Sequence, residues 1–433
     1  MNVLGLPEPQ LIGDPRPAEL SSPLAVADCA VASVAACLTA AADLTHARTG
    51  RRPEVVLDTA HVAAAVRSEV WLRDPAGKGV DGFAPLSRLW AAEDGWVRTH
   101  ANYPWHRTAL LAALGVADGP SVEARLAAAI GDLPPADVER LVYDAGGLAV
   151  AARTPDRWQA PAGPLIGIVP AGSARPMPPP GPLPASGLRV LDLTRVIAGP
   201  VGTRMLGALG ADVLRVDDPN RPELPLHALD GVIGKRSTAL DASTEAGREA
   251  LQRLAAEADV VVTGYRPGAL RRFGLEPDQL PGTIVATLSA WGDTPGWERR
   301  RGFDSLVQIA TGIGWAAGDG TRPGALPCQL LDHATGYLLA AGVLTALALR
   351  ARSGEISHVS VSLARTARWL LDQGINPPSG TRDDPPNVDA YRVGLGNGWT
   401  GISPPGRLDG RELSWPFLPP EYGRATPRFS GAG

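Results

Sequence analysis

Between Leu188 and Leu363 short apolar runs alternate with helix-length stretches, and this rhythm limits the chain more than any other feature. The runs are LRVLDLT (188–194), ADVLRVD (211–217), DVVVTG (259–264), TIVATLSAW (283–291) and ISHVSVSL (356–363). Helices are predicted over VGTRMLGALG, from Phe303 and after Asp332, and also from a cap at Ser243 or Thr244 that sets Leu251, Leu254, Ala255 and Ala258 on one face. Strands without polar alternation are buried on both faces, and strands separated by helices pair in parallel. The expected fold class is α/β: a doubly wound parallel Rossmann-like sheet of about 180 residues with a smaller α+β domain beside it. Any ligand then belongs at the carboxyl ends of the strands.

A boundary is expected at 171–186, AGSARPMPPPGPLPAS, where proline enforces an extended, semi-rigid linker. It separates a first part, 1–170, holding a helix over 24–46 and a small domain over about 84–165, from the sheet domain at 187–373. The remaining 374–433 reads as an extended tail and terminal arm, with 374–390 as a surface excursion. An internal repeat crosses this boundary. Laying 24–66 over the stretch from Cys328 pairs Asp28 with Asp332, Arg48 with Arg352, Gly50 with Gly354 and Val55 with Val359, all at one spacing and without a gap.

Composition closes off several functions. A formal charge of −4 gives no field to gather a polyanion, so no nucleic-acid partner is expected. Three cysteines, Cys29, Cys37 and Cys328, cannot make a disulfide framework and suit a reducing cytoplasm. The opening residues carry no basic and apolar signal regions, so no secretory signal is expected. The apolar stretches 24–44 and 336–349 are read as buried helices, because the first carries Asp28 and Asp43 and the second is shorter than the roughly 20 residues of a membrane span. The seven histidines and the cysteines have no zinc spacing, so no metal is expected.

The first strand-to-helix turn, RVIAGPVGT (195–203), offers backbone amides at a helix start through Gly199 and Gly202, although a plain glycine–proline turn would look the same. GKRS (234–237) and YRPGALRRFG (265–274) add Lys235, Arg236 and Arg272 as phosphate partners and Tyr265 as a ring for a purine, unless they are solvated surface charges. Asp332 follows ALPCQLL and opens a helix with hardly another polar atom near its start. The helix end is expected to keep its carboxylate ionised and aimed at a ligand, the alternative being a simple cap.

The chain resembles the family III CoA-transferases, a superfamily with formyl-CoA transferase, carnitine CoA-transferase and α-methylacyl-CoA racemase. The resemblance runs through 188–219, GKRSTALDASTEAGREAL (234–251), ADVVVTGYRPGALRRFGL (258–275), GFDSLVQIATGIGWAAG (302–318) and 330–363. The family's small domain is similar to 84–116 and 122–150, and its terminal arm to 402–423, so the halves stand in rearranged order. The resemblance implies an interlocked homodimer, acyl-CoA and a carboxylic acid as partners, coenzyme A as substrate and no permanently bound cofactor. It makes Asp332 the catalytic carboxylate, which passes through an aspartyl anhydride and an aspartyl-CoA thioester. It aligns Val196 and Ala198 with the nucleotide-contacting loop, Arg236 and Arg272 with basic contacts, Tyr265 with the aromatic by the adenine, and Lys235 with a further phosphate contact.

Departures leave three readings open: a CoA-transferase, a CoA-binding or scaffold homologue without turnover, and, last, an acyl-CoA racemase. Gly264 and Asp218 replace residues that hold phosphate in the family. The glycine-rich loop that covers the intermediate has only AGKG (76–79) and GLGNG (394–398) as candidates. Phe303 stands where racemases carry histidine, and a phenyl ring cannot move a proton. His333 is expected to be structural, Asp28 vestigial, and Arg48 and Arg352 to brace the turns after their helices.

Overall fold

The computed structural model describes residues 2–375 and 388–430; most of the expected surface excursion lies outside them. A seven-stranded sheet runs in the order Gly167–Ser173, Glu355–Ser362, Ile284–Ser289, Val260–Thr263, Arg189–Leu193, Asp212–Asp217, Arg236–Ala239. All neighbours are parallel except the first strand, which lies antiparallel on Glu355–Ser362. The six parallel strands therefore progress outward in both directions from the centre, and the chain changes side between Arg189–Leu193 and Val260–Thr263. Such a switch point opens a crevice at the strand ends.

Alternate residues of the same strands feed two separate cores. Val190, Val260, Val262, Ile284 and Ala286 meet Val201 and Met205 of the Ala198–Ala208 helix. Leu191, Leu193, Leu214, Val261 and Val285 meet Leu251 and Leu254 of the Glu245–Glu257 helix, which Thr244 caps through the Gly247 N–H. With both faces covered, each fully buried valine or leucine contributes roughly 1.5–3 kcal/mol, which explains the unbroken apolar runs.

The Leu330–Ser353 helix is buried on all sides from Leu330 through Leu344, because the sheet, the Ala198–Ala208 helix and the Val26–Thr49 helix enclose it. At 24 residues it is longer than the apolar stretch 336–349 suggests, and both long helices reach membrane-spanning length and hydropathy while packed in the core. Gly202 and Gly336 explain the close approach of two of these helices: a Cβ on Gly202 would stand 2.7 Å from the Gly336 carbonyl oxygen. Gly202 is thus a packing residue, a role that differs from the amide presentation expected of it.

Residues 89–151 form three antiparallel strands, Leu89–Ala92, Gly95–Thr99 and Ala149–Ala151, with helices Pro104–Ala113, Val122–Gly131 and Pro135–Asp144. Trp90, Val97, Leu110, Leu126 and Val142 give this unit its own core. The remainder of the N-terminal part is not separate: Leu38, Leu44 and Leu57 share one core with Leu338, Leu344 and Val190. The 171–186 boundary also cuts into a strand, since Gly167–Ser173 is an edge of the main sheet. The tail closes the opposite edge, where Arg424 bridges Thr238 and Phe429 is buried beside Leu214. That cover leaves little of the Arg236–Ala239 edge open to another chain.

Candidate active site

The crevice at the switch point is a cleft of about 620 Å³. Its floor and walls come from the turns that leave the strands: Arg195, Val196 and Ala198 after Arg189–Leu193, Asp217 and Asp218 after Asp212–Asp217, Gly264, Tyr265 and Arg266 after Val260–Thr263. Tyr103, Trp105 and His106 enter from the small unit, and Phe303 and Asp332 also line the cleft. Asp332, Val196, Ala198, Tyr265 and Arg272, expected from sequence, are thereby brought together.

Lys235 and Arg236 are not. The Lys235 ammonium is fully enclosed and donates to Asp192 Oδ2 at 2.9 Å, Thr203 Oγ1 at 2.8 Å and the Pro200 carbonyl at 3.2 Å. All three of its protons are spent inside the sheet, leaving none for a ligand. Arg236 pairs with both oxygens of Asp212 and donates to the Arg428 carbonyl, tying the tail to the edge strand. Neither residue lines the cleft. The two glycine-loop candidates also lie elsewhere: AGKG closes a turn on Asp74, and GLGNG is the tight turn of the Arg392–Gly396 and Trp399–Ile402 hairpin. Arg48 and Arg352 do not brace their own turns; Arg48 holds linker carbonyls and Arg352 donates to Asp43 at 2.9 Å.

Val196 has φ of 68°, a left-handed conformation that a β-branched residue adopts only under constraint. The constraint is Glu223, which accepts from the Val196 N–H at 3.2 Å, from Arg195 Nε at 3.3 Å and from Arg215 Nη2 at 3.2 Å. The Tyr103 hydroxyl also donates to it, so one buried carboxylate joins the small unit to the cleft loop. Burial works to raise the Glu223 carboxyl, but Arg195 and Arg215 outweigh it and hold it at about 2. Sequence reasoning missed this hub, because its four partners are scattered along the chain.

Arg221, Arg266 and Arg301 stand around the cleft without an ion pair among the described residues. Burial, and then repulsion from Arg266 and Arg221, lower the Arg301 guanidinium. Arg272 rests over the Phe273 ring at 4.5 Å, also without a carboxylate. Unpaired guanidinium groups crowded on one rim favour a multiply charged anion. Tyr265, 44% exposed, presents its ring beside them.

Asp332 lies three residues into its helix and is 5% exposed. Its N–H donates to Asp304 Oδ2 at 3.1 Å, so another helix supplies the cap. Burial, then Asp304, then Glu69 push the Asp332 carboxyl well above the ordinary aspartate range, overriding the ionised form that the helix end alone would favour. Burial raises Asp304 itself to about 6. Next along the helix His333 is fully buried, with Nε2 2.8 Å from Glu69 Oε2. Phe303 stacks on His100 with centroids 3.7 Å apart. Among the described residues no group of three His, Cys, Asp or Glu is placed to hold a metal ion.

Residues 185–394 match the family model described as CoA-transferase family III. Nearly half of the chain is therefore similar to the family III CoA-transferases. A probable fatty acyl-CoA transferase of Mycobacterium tuberculosis is 37% identical over 206 residues, covering 43% of this chain and 52% of the relative. The succinate–glutarate CoA-transferase of Agrobacterium fabrum is 30% identical, covering 48% of this chain and 60% of the relative. The formyl-CoA:oxalate CoA-transferase of Afipia carboxidovorans is 34% identical, covering 41% and 46%. The chain spans about half the length of the curated relatives it matches. Apart from Tyr103, Trp105 and His106, the residues lining the cleft fall within the matched stretch.

Proposed function

We propose that the chain moves coenzyme A from an acyl-CoA donor to a carboxylic acid acceptor, with Asp332 as nucleophile. The observation that carries this reading is the shared cleft, whose lining holds Asp332 together with Tyr265 and the unpaired Arg221, Arg266 and Arg301. A CoA thioester calls for both sets, the ring and cations for its nucleotide and phosphates and the carboxyl for its reactive carbonyl. The names of the relatives agree on the thioester and differ on the acid.

In this reading the Asp332 carboxylate attacks the thioester carbonyl and the C–S bond breaks, giving an aspartyl mixed anhydride and CoA thiolate. The thiolate attacks the aspartyl carbonyl, the donor acid leaves, and an aspartyl-CoA thioester remains. The acceptor carboxylate attacks that thioester, expelling thiolate and forming a second anhydride. Thiolate attack on the acceptor's acyl carbon releases the new acyl-CoA and restores the Asp332 carboxylate. Asp332 must lose its proton before the first attack, and its environment favours keeping it. Low exposure at the carboxyl end supports exclusion of water from the intermediates.

Incubation with a panel of acyl-CoAs followed by hydroxylamine should leave a hydroxamate on the peptide holding Asp332, located by mass spectrometry. Measurable CoA binding with no adduct favours the second reading, a CoA-binding protein without turnover. That reading draws support from the distance of AGKG and GLGNG from the cleft lining. Racemisation has less support, since Phe303 has no proton to transfer.

A further inference from the structure

The Val26–Thr49 helix and the Leu330–Ser353 helix have the same length and end on left-handed glycines, Gly50 and Gly354, at φ of 77° and 74°. Their spacing continues into the next elements: Asp58 and Ser362 are equivalent N-caps, and the Thr59–Ala65 and Leu363–Asp372 helices start at equivalent positions. Strand registers agree too. Val361 pairs in parallel with Leu288, and its counterpart Leu57 pairs in parallel with Leu11. Val359 pairs antiparallel with Ile168, and its counterpart Val55 pairs antiparallel with Leu408. Three non-contiguous pieces of chain, 10–12, 26–65 and 407–408, thus reproduce two helices and three strands of the main unit.

These two units face each other. The long helices make the most extensive helix contact in the molecule, and they run in the same direction, since Ala47, Arg48, Arg350 and Ala351 line one hollow at their C-terminal ends. Equivalent helices packed side by side in this way are related as are the halves of an isologous dimer. The second unit has no counterpart of the strands that build the cleft, and its Asp28 is paired with Arg16 at 3.6 Å. Just after its copied helix, however, the Ser68–Trp71 turn delivers Glu69 to His333.

We propose that residues 10–72 with 407–408 stand in for a second subunit, so that one chain completes the Asp332 site by itself and Glu69 is the positioning residue that this built-in partner supplies. The helix face on which a second copy would pack is already occupied, from Leu330 through Leu344. Glu69 fixes the imidazole next to Asp332 and sets a negative charge beside its carboxyl. The charged groups acting on Asp332 are Asp304 and Glu69, with Cys328 ahead of the same helix; His333 and Arg204 of the Ala198–Ala208 helix act on Glu69.

Sedimentation velocity over about a hundredfold range of concentration should give a single species at the chain mass of 45.1 kDa. A stable dimer overturns the proposal. Glu69 is tested by infrared titration of the Asp332 carboxyl band, assigned by its loss in Asp332→Asn. Glu69→Gln should move that titration to lower pH while the protein remains monomeric, and an unmoved band removes Glu69 from the role. Folding of the Glu69→Gln chain is checked by its unchanged melting profile at low pH; if it does not fold, Glu69→Asp, which keeps the charge, should restore the wild-type titration. Neither readout needs turnover, so failure of the transfer reading is distinguishable from failure of this one.

Discussion

The Asp304 carboxylate accepts the backbone N–H of Asp332 at 3.1 Å, so the residue that caps the Leu330–Ser353 helix is also the charge that most raises the Asp332 carboxyl. This arrangement stores unfavourable charge in a place where neither group is open to water. Asp304 titrates at about 6 in the folded chain, above the ordinary 3.8.

The sign of the stability effect follows. A raised carboxyl contributes stability that is fully present below about 3.8 and is lost as pH rises through about 6. Asp304→Asn should therefore gain stability relative to wild type as pH rises from 4 to 7, less the cost of a poorer cap. Urea unfolding of both proteins at each pH measures the difference. The same substitution should let Asp332 ionise at lower pH and shift the acidic limb of transfer in that direction.

Glu223 behaves in the opposite sense. Its folded value of about 2 lies below the ordinary 4.5, so its contribution is present above pH 4.5 and lost as pH falls through about 2. Glu223→Gln should lose about 3 kcal/mol at pH 7 and nothing near pH 2, again by urea unfolding. Because Val196 depends on the same carboxylate, CoA affinity measured by calorimetry should fall as well.

Lys235 and Tyr265 should separate cleanly. Lys235→Met leaves Asp192 buried and uncompensated and should cost about 3–5 kcal/mol of stability, with CoA affinity unchanged at a temperature where the variant is folded. Tyr265→Ala removes a half-exposed ring, so melting should hardly change, while CoA affinity should drop by about tenfold, or roughly 1–2 kcal/mol of stacking.

Paired replacement of Arg266 and Arg301 by alanine should weaken CoA binding by at least about a hundredfold and flatten its dependence on salt, since each charge-assisted contact is worth roughly 1.5–3 kcal/mol. Titrations in low and high sodium chloride test both effects.

The sheet was readable because its strands are largely apolar on both faces, and Val260–Thr263 opens with three successive valines. Tyr265 and Arg272 were readable because they leave the ends of those strands. Lys235 and Arg236 were misassigned for a physical reason: their partners, Asp192 and Asp212, belong to other strands, and no local pattern reveals which cations the sheet neutralises internally. Gly202 looked like an open amide until Gly336 arrived against it. Glu69, Tyr103 and Glu223 reach the site only through tertiary folding, from segments with no motif of their own.

Arg48 donates to the carbonyls of Pro178, Pro179, Pro184 and Ser186. One guanidinium thereby gathers both ends of the proline segment onto the end of the Val26–Thr49 helix, like a clasp on a strap. The segment that by composition should have been a spacer fastens the two portions of the chain instead. A protease cutting among those prolines would yield two fragments that stay together.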